Sequence, residues 1–211
     1  MATFREVCQG GPVLLLDAAA SPVQVGLIRP SGEAGWSTPP GEPGVAVFQA
    51  LEELGANLSK VRGWIFCEGP GSILGIRTVA MALRSWTLLH PAPVHRYLSL
   101  AVLAHALGKP AAGIIADARR ETWHHQRAGE PLRRLPTRDL QPPLYLPATF
   151  RTWSKLPAGV QVTPYDWTQM LPRVWDADLL RPAAAPDAFL SEDPSYVAWT
   201  PRIHQAPAAS A

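Results

Sequence analysis

A glycine-rich turn between a strand-like run and a helical run constrains the fold of this chain more than any other stretch. The turn covers residues 68–77 and reads Glu-Gly-Pro-Gly-Ser-Ile-Leu-Gly-Ile-Arg. Residues 64–67 before it are apolar and rich in strand formers. Apolar side chains then recur at helical spacing: Ile76, Val79, Ala80, Leu83 and Trp86. This order is typical of α/β proteins, in which the N-terminus of such a helix commonly binds phosphate.

Composition indicates a folded chain with enough apolar residues for one large domain or two small lobes. The chain has 211 residues, of which 47% are hydrophobic and 17% are charged, which excludes a disordered protein. The formal net charge of +2 is too small to indicate nucleic-acid binding by itself. We interpret the local group of Arg133, Arg134 and Arg138 as a solvated loop.

The cysteines and the apolar runs indicate the cellular compartment in which the chain is expected. Cys8 and Cys67 are too few for a disulfide framework in a chain of this size, and we expect Cys67 to be a small buried hydrophobe. A nucleophilic Cys67 with His95 or His105 as its base lacks an orienting partner in the sequence. Asp17 interrupts the apolar run near the start, which argues against a signal peptide, and no run is long enough to span a membrane. We expect a cytoplasmic protein.

Two similar halves are expected along the chain. A strand over residues 13–17 ends in Asp17, and a strand over residues 113–117 ends in Asp117. A hairpin partner follows each of them, at 23–27 and at 121–126. We predict helices over 45–58, 76–89 and 100–107, the last with Ser99 as its N-cap, and strands over 63–67 and 94–97.

The predicted division follows this repeat. Residues 1–12 show no periodicity and are expected to form a loose extension. The first lobe is expected at 13–110 and a smaller second lobe at 111–200. Residues 201–211 are expected to be disordered. The Pro-rich stretch 129–164 has no assignable pattern, and residues 165–180 could hold a helix.

Four short motifs carry a resemblance to a known family. The chain has Asp-Ala-Ala at 17–19, Gly-Pro-Gly-Ser-Ile-Leu-Gly-Ile-Arg at 69–77, Asp-Ala-Arg at 117–119 and Pro-Ser-Tyr at 194–196. In order and spacing these motifs resemble the TsaB (YeaZ) family, the small partner subunit in bacterial synthesis of threonylcarbamoyladenosine on tRNA. The glycine-rich element is the most specific of the four. Its matching residues are Gly69, Pro70, Gly71, Ser72, Gly75 and Arg77.

The resemblance implies a fold and a role. The fold would be α/β, with two actin/Hsp70/sugar-kinase-like (RNase H-like) lobes of which the second is degenerate. The role would be non-catalytic, without a cofactor or a metal of its own: a TsaD-like partner would hold the metal and transfer the threonylcarbamoyl group. A TsaE-like ATPase and a second copy of the chain are further expected partners, and tRNA would be met only indirectly.

The motifs also depart from the family pattern. Ala18 and Ala19 replace the hydroxyl residues that usually follow the first aspartate, and Ile73 and Leu74 replace Phe-Thr. We therefore expect Asp17 and Asp117 to be structural strand-end carboxylates that accept backbone N–H groups, and a vestigial nucleotide site is the functional interpretation of the same pair. Two alternatives stay open: an ATP-binding enzyme of the same fold acting alone, and a diverged homolog outside the tRNA pathway.

The resemblance places the partner-binding surface on the first two long helices. We expect a core face on each helix, formed by Val45, Phe48, Leu51, Leu54, Val79, Leu83 and Trp86. Apolar residues also lie off these stripes, which favours a second, associating face. The candidate interface residues are Val47, Phe48, Leu51, Met81 and Leu88.

Overall fold

The computed structural model describes residues 1–189. The Pro-Ser-Tyr motif at 194–196 and the expected disordered tail at 201–211 lie outside the described residues. The first part of the chain forms α1 (Phe4–Cys8), β1 (Val13–Asp17), β2 (Gln24–Ile28), β3 (Ala34–Ser37), α2 (Pro43–Glu53), β4 (Gly63–Gly69), α3 (Ile73–Leu89), β5 (Val94–Leu98) and α4 (Ser99–Leu107). The second part forms β6 (Gly113–Asp117), β7 (Thr122–Gln126), β8 (Arg133–Pro136), β9 (Leu144–Pro147), β10 (Gln161–Thr163), α5 (Trp167–Val174) and β11 (Arg181–Pro182).

The described strands form two mixed sheets with the same plan. The first sheet has the order β11-β5-β4-β1-β2-β3, and the second has the order β10-β9-β6-β7-β8. In each sheet the strand that ends in aspartate pairs antiparallel with the next strand and parallel with a later one. The internal repeat and the two-lobed α/β fold class are therefore confirmed. The second copy is degenerate, because a short 3₁₀ turn at Thr137–Asp139 stands where the first copy has helix α2.

Helix α4 lies inside the molecule and touches strands of both sheets as well as α5. Its residues Leu100, Val102, Leu103, Ala104 and Ala106 are all buried. Ser99 is the first residue of this helix and not its N-cap, which is Leu98. The Ser99 hydroxyl instead donates to the carbonyl oxygen of Pro70 at 2.6 Å. The helix thereby ties the glycine-rich turn to the core between the sheets.

The N-terminal residues differ from the loose extension that we predicted for 1–12. They contain α1, which has a capping box between Thr3 and Glu6 and buries Phe4 and Cys8. Five residues are too few to show helical periodicity, so the sequence pattern does not reveal this helix. Its stability comes from packing, because Phe4 meets the ring of Trp167 at a centroid distance of 5.6 Å.

The stretch after the second sheet also departs from the predicted division. Strand β11 pairs antiparallel with β5, so the chain returns to the first sheet after Thr163. The side chains of Tyr165 and Trp167 reach Asp17 at the end of β1. Tyr165, Trp167 and β11, which the prediction assigned to a second lobe at 111–200, therefore contact elements of the first sheet. The predicted solvated loop at 133–138 is wrong as well, because Arg133 and Arg134 lie on β8.

Helix α2 shows which of its faces meets the sheet. It ends at Glu53 and not near 58, and its buried residues are Ala46, Val47, Ala50 and Leu51. Val45 and Phe48, predicted for the core, are 68% and 48% exposed. The predicted core face is therefore wrong at Val45 and Phe48 and right at Leu51, because α2 has apolar residues on several sides and spacing alone does not give the rotation at which it docks. Val47 and Leu51 are core residues and are withdrawn as interface candidates.

Candidate functional site

A cleft of about 650 Å³ separates turns of the two halves. Its first wall is built from the turn after β1 and from the glycine-rich turn 69–74, and its second wall from residues 116–119 and 149–153. The cleft has the size of a small-molecule site. What it could hold depends on whether the polar groups in its walls are available.

Asp17 is committed to the protein itself. It is buried, and its Oδ2 accepts hydrogen bonds from the hydroxyls of Tyr97 and Tyr165, each at 2.6 Å, and from the indole Nε1 of Trp167 at 2.9 Å. Its Oδ1 accepts the backbone N–H of Ala19 at 2.9 Å. Burial, followed by the nearby Asp17, raises the pKa of both tyrosines well above the ordinary value. The two tyrosines are therefore protonated donors at neutral pH.

Asp117 occupies the equivalent place in the second half and is also engaged. It accepts the backbone N–H groups of Arg119 (2.6 Å), Trp153 (2.6 Å) and Ser154 (2.5 Å), and the Ser154 hydroxyl at 3.1 Å. Burial opposes its ionisation, but these backbone donors outweigh burial and hold the pKa of the carboxyl below its usual value. Both strand-end aspartates thus organise loops of their own chain.

The glycine-rich turn packs against the residues that follow Asp17. A Cβ atom on Gly71 would collide with the carbonyl oxygen of Ala19, and one on Gly75 would collide with that of Ala18. The backbone N–H of Ser72 donates to the Ala19 carbonyl at 2.7 Å, and the Ser72 hydroxyl caps α3 by accepting from the N–H of Gly75. The two glycines therefore allow α3 to lie close to the residues that follow β1. The Ala19 carbonyl already accepts the Ser72 N–H that a phosphate bound at this turn would otherwise use.

Arg77, the last residue of the motif, lies on the exposed side of α3 near the segment that follows β11. Its guanidinium is 4.0 Å from Asp187, which Arg84 also approaches at 3.4 Å. Arg84 donates in addition to the carbonyl oxygen of Pro186 at 2.8 Å. The arginines of α3 thus hold the end of the described chain against this helix.

Neither cysteine is placed to act as a nucleophile. Cys8 and Cys67 are both buried, and burial raises the pKa of Cys8 to about 12 and that of Cys67 well above its ordinary value. The interpretation of Cys67 as a buried core residue is confirmed. His124 lines the cleft, whereas its neighbour His125 is buried in the sheet interior. Within residues 1–189, no three His, Cys, Asp or Glu side chains are grouped as metal ligands.

An exposed apolar face runs along α2 and α3. Leu74, Met81 and Leu88 lie seven residues apart on α3 and are 68%, 58% and 82% exposed. Val45 and Phe48 are exposed on α2, which packs against α3, and the Phe48 ring meets Trp86 of α3 edge-on at 5.8 Å. We call these five residues the two-helix face. It is a seam of the kind that one helix pair presents to another.

Solved structures with a similar architecture identify the fold. YeaZ from Pseudomonas aeruginosa is 19% identical, with a TM-score of 0.60 over 85% of this chain and 100% of that protein. The chain has the fold of YeaZ. An uncharacterized P. aeruginosa protein with similarity to peptidase YeaZ is 22% identical, with a TM-score of 0.53 over 64% of this chain and 74% of that one. No protein-family model and no curated protein matches the sequence.

The fold predicted from the motifs is therefore confirmed, and the site differs from the prediction in detail. Phe48, Met81 and Leu88 are exposed, but sequence spacing missed Val45 and Leu74 as members of the same face. It also missed the tyrosine and tryptophan partners of Asp17, which are distant in sequence. In the described part of the chain, no helix is both long and apolar enough to cross a membrane. The cytoplasmic location stays a prediction.

Proposed function

We propose that this chain is a TsaB-like scaffold subunit that binds a TsaD-like protein and supports threonylcarbamoyladenosine formation in tRNA. The two-helix face is the observation that carries the proposal. It exposes five apolar side chains on two adjacent helices, in a chain whose fold is that of YeaZ. An apolar face of this kind is retained in a folded protein when a partner covers it.

The strand-end aspartates favour a scaffold over an enzyme that acts alone. An ATP-dependent enzyme would use Asp17 and Asp117 toward a metal-bound nucleotide. Here each aspartate accepts four hydrogen bonds from its own chain. Redirecting Asp17 would leave buried donors without an acceptor, which is costly, whereas redirecting Asp117 would release the backbone N–H groups that hold its loop. The measurement that separates the two functions is ATP turnover by the isolated chain, which the scaffold role predicts to be absent.

Copurification with the TsaD-like protein of the same organism tests the proposal. We expect the parent chain to capture the TsaD-like protein and Met81→Glu to fail to capture it. In the complex the new carboxylate would lie in the middle of an apolar interface, desolvated and without a positive charge to pair with. Val162→Glu is the matched control, since Val162 is 63% exposed on β10 of the second sheet. Capture that is equal for the parent and Met81→Glu would contradict this use of the face.

A further inference from the structure

The second wall of the cleft presents an exposed tryptophan among basic side chains. Trp153 is 60% exposed, and the guanidinium carbon of Arg119 lies 4.8 Å from the centroid of its ring. Arg151 lines the same cleft two residues before Trp153, and Lys155 is exposed two residues after it. Trp153 therefore lies between basic residues in sequence and beside Arg119 in space.

The tryptophan is held in this exposed position by its own backbone. Its N–H donates to Asp117 at 2.6 Å, and the N–H and hydroxyl of the next residue, Ser154, donate to the same carboxylate. These bonds fix the loop at the end of β6. The backbone of Trp153 is thus anchored to Asp117, and its exposed indole lines the cleft with Arg119 against the ring.

The turn that carries the basic side chains is strained. Arg119, Arg120 and Glu121 have φ values of 65°, 52° and 58°, a left-handed backbone that is unfavourable for residues with a Cβ. Asp117 holds the N–H of Arg119, and the N–H and hydroxyl of Thr137 both donate to the Glu121 carbonyl at 3.0 Å. Glycine would adopt this turn without strain, so side chains kept here at such a cost point to a functional use.

We propose that this wall binds single-stranded RNA, with a base stacked on Trp153 and backbone phosphates at Arg119, Arg120, Arg151 and Lys155. An aromatic platform with guanidinium groups beside it is the usual means of binding unpaired nucleotides. Arg119 lies against the ring, Arg151 lines the same cleft, and the exposed Lys155 follows on the same loop, so the wall offers more than one basic side chain to a nucleic-acid backbone. Two carboxylates lie on this wall: Asp117 is engaged with backbone donors, and Glu121 is exposed on the same turn as Arg119 and Arg120.

The proposal goes beyond the scaffold role and does not depend on it, because the isolated chain should bind RNA without a TsaD-like partner. The two can fail separately. Met81→Glu should lose the partner and keep RNA binding, whereas Trp153→Ala should do the reverse.

Fluorescence anisotropy of a labelled single-stranded oligouridylate, about 12 nucleotides long, tests the proposal on the full chain. We expect Trp153→Ala to weaken binding about five- to hundred-fold, as base–aromatic stacking does elsewhere, and Trp153→Phe to restore much of it. Removing Arg119 and Arg151 together should flatten the slope of log affinity against log salt by about 0.7 per lost phosphate contact.

Arg29→Ala is the matched control, because Arg29 is an exposed arginine of the first lobe that is paired with Glu33. It should leave the affinity unchanged, and circular dichroism should show that each variant is folded. Absence of RNA binding by the parent would overturn the proposal, as would a Trp153→Ala variant that binds as the parent does. Displacement by polyglutamate at equal charge concentration, or equal affinity for uridine monophosphate, would also overturn it.

Discussion

Substituting Asp17 tests whether this carboxylate holds the fold together or serves a ligand. Asp17→Ala removes the acceptor of four donors: the N–H of Ala19, the hydroxyls of Tyr97 and Tyr165, and the indole N–H of Trp167. At roughly 1 kcal/mol for each lost hydrogen bond, the free energy of unfolding should fall by about 4 kcal/mol. In a chain of this length that corresponds to a melting temperature lower by about 8–16 °C.

Asp17→Asn should cost less, and the structure indicates why. If the amide nitrogen replaces Oδ1, it faces the N–H of Ala19. If it replaces Oδ2, the Trp167 N–H is left unpaired, although the tyrosine hydroxyls can rotate and accept. Either arrangement strands at least one buried donor, which costs about 1–3 kcal/mol. Tyr97→Phe and Tyr165→Phe, which each remove one bond, should cost about 1 kcal/mol.

Urea unfolding followed by circular dichroism measures these differences, with the tyrosine variants as folded references should Asp17→Ala not fold. The expected order of stability is parent, then the tyrosine variants, then Asp17→Asn, then Asp17→Ala. A residue kept for ligand binding commonly leaves stability unchanged or raises it when it is replaced. Unfolding free energies of Asp17→Ala and the parent within about 1 kcal/mol of each other would refute the structural role, since such a difference is at most a quarter of the expected loss.

Three further predictions concern the turn, the titrating groups and the thiols. Gly75→Ala should lower the free energy of unfolding by about 1–3 kcal/mol, because the new Cβ collides with the Ala18 carbonyl oxygen. Gly44→Ala should raise the free energy of unfolding by about 0.5–1 kcal/mol, because Gly44 lies on α2 with open space around it. Burial lowers the pKa of His95 and His125, so both side chains take up protons when the chain unfolds. The free energy of unfolding should therefore fall as pH drops below about 6.5, as pH-dependent urea melts would measure. His125→Gln should make this dependence of stability on pH less steep. The lowered pKa of Asp117 should give a separate loss as pH falls below its ordinary value of 3.8. Iodoacetamide at pH 8 should leave the buried Cys8 and Cys67 unlabelled in the native protein and label both in urea. Labelling of the native chain would contradict the burial of the thiols. A stability that does not change with pH would contradict the histidine prediction, and equal effects of the two glycine substitutions would contradict the glycine prediction.

Local pattern was sufficient for much of the fold. The strands that end in Asp17 and Asp117 are short apolar runs with a marked end, and both form as predicted. Helix α3 has a glycine turn before it and a clear stripe, so its core residues Val79, Leu83 and Trp86 are also as predicted. These features depend on neighbours in sequence, which a pattern records.

Features that depend on distant residues were beyond the sequence pattern. Helix α2 has apolar residues on several sides, so spacing cannot decide whether Phe48 or Val47 faces the sheet, and the observed rotation follows from docking. The partners of Asp17 lie as far away as Trp167. Trp153 and Arg119 are distant in sequence, and Asp117 binds the backbone N–H groups of both. A single sequence contains no signal for such pairings.

The most direct test of the scaffold role is reconstitution of tRNA modification with the TsaD-like protein of the same organism. We predict that threonylcarbamoyladenosine, measured by mass spectrometry of digested tRNA, forms when the parent chain or Val162→Glu is present. It should fall to the level without the chain when Met81→Glu replaces the parent. Equal modification with and without the chain would contradict the account, as would full support by Met81→Glu.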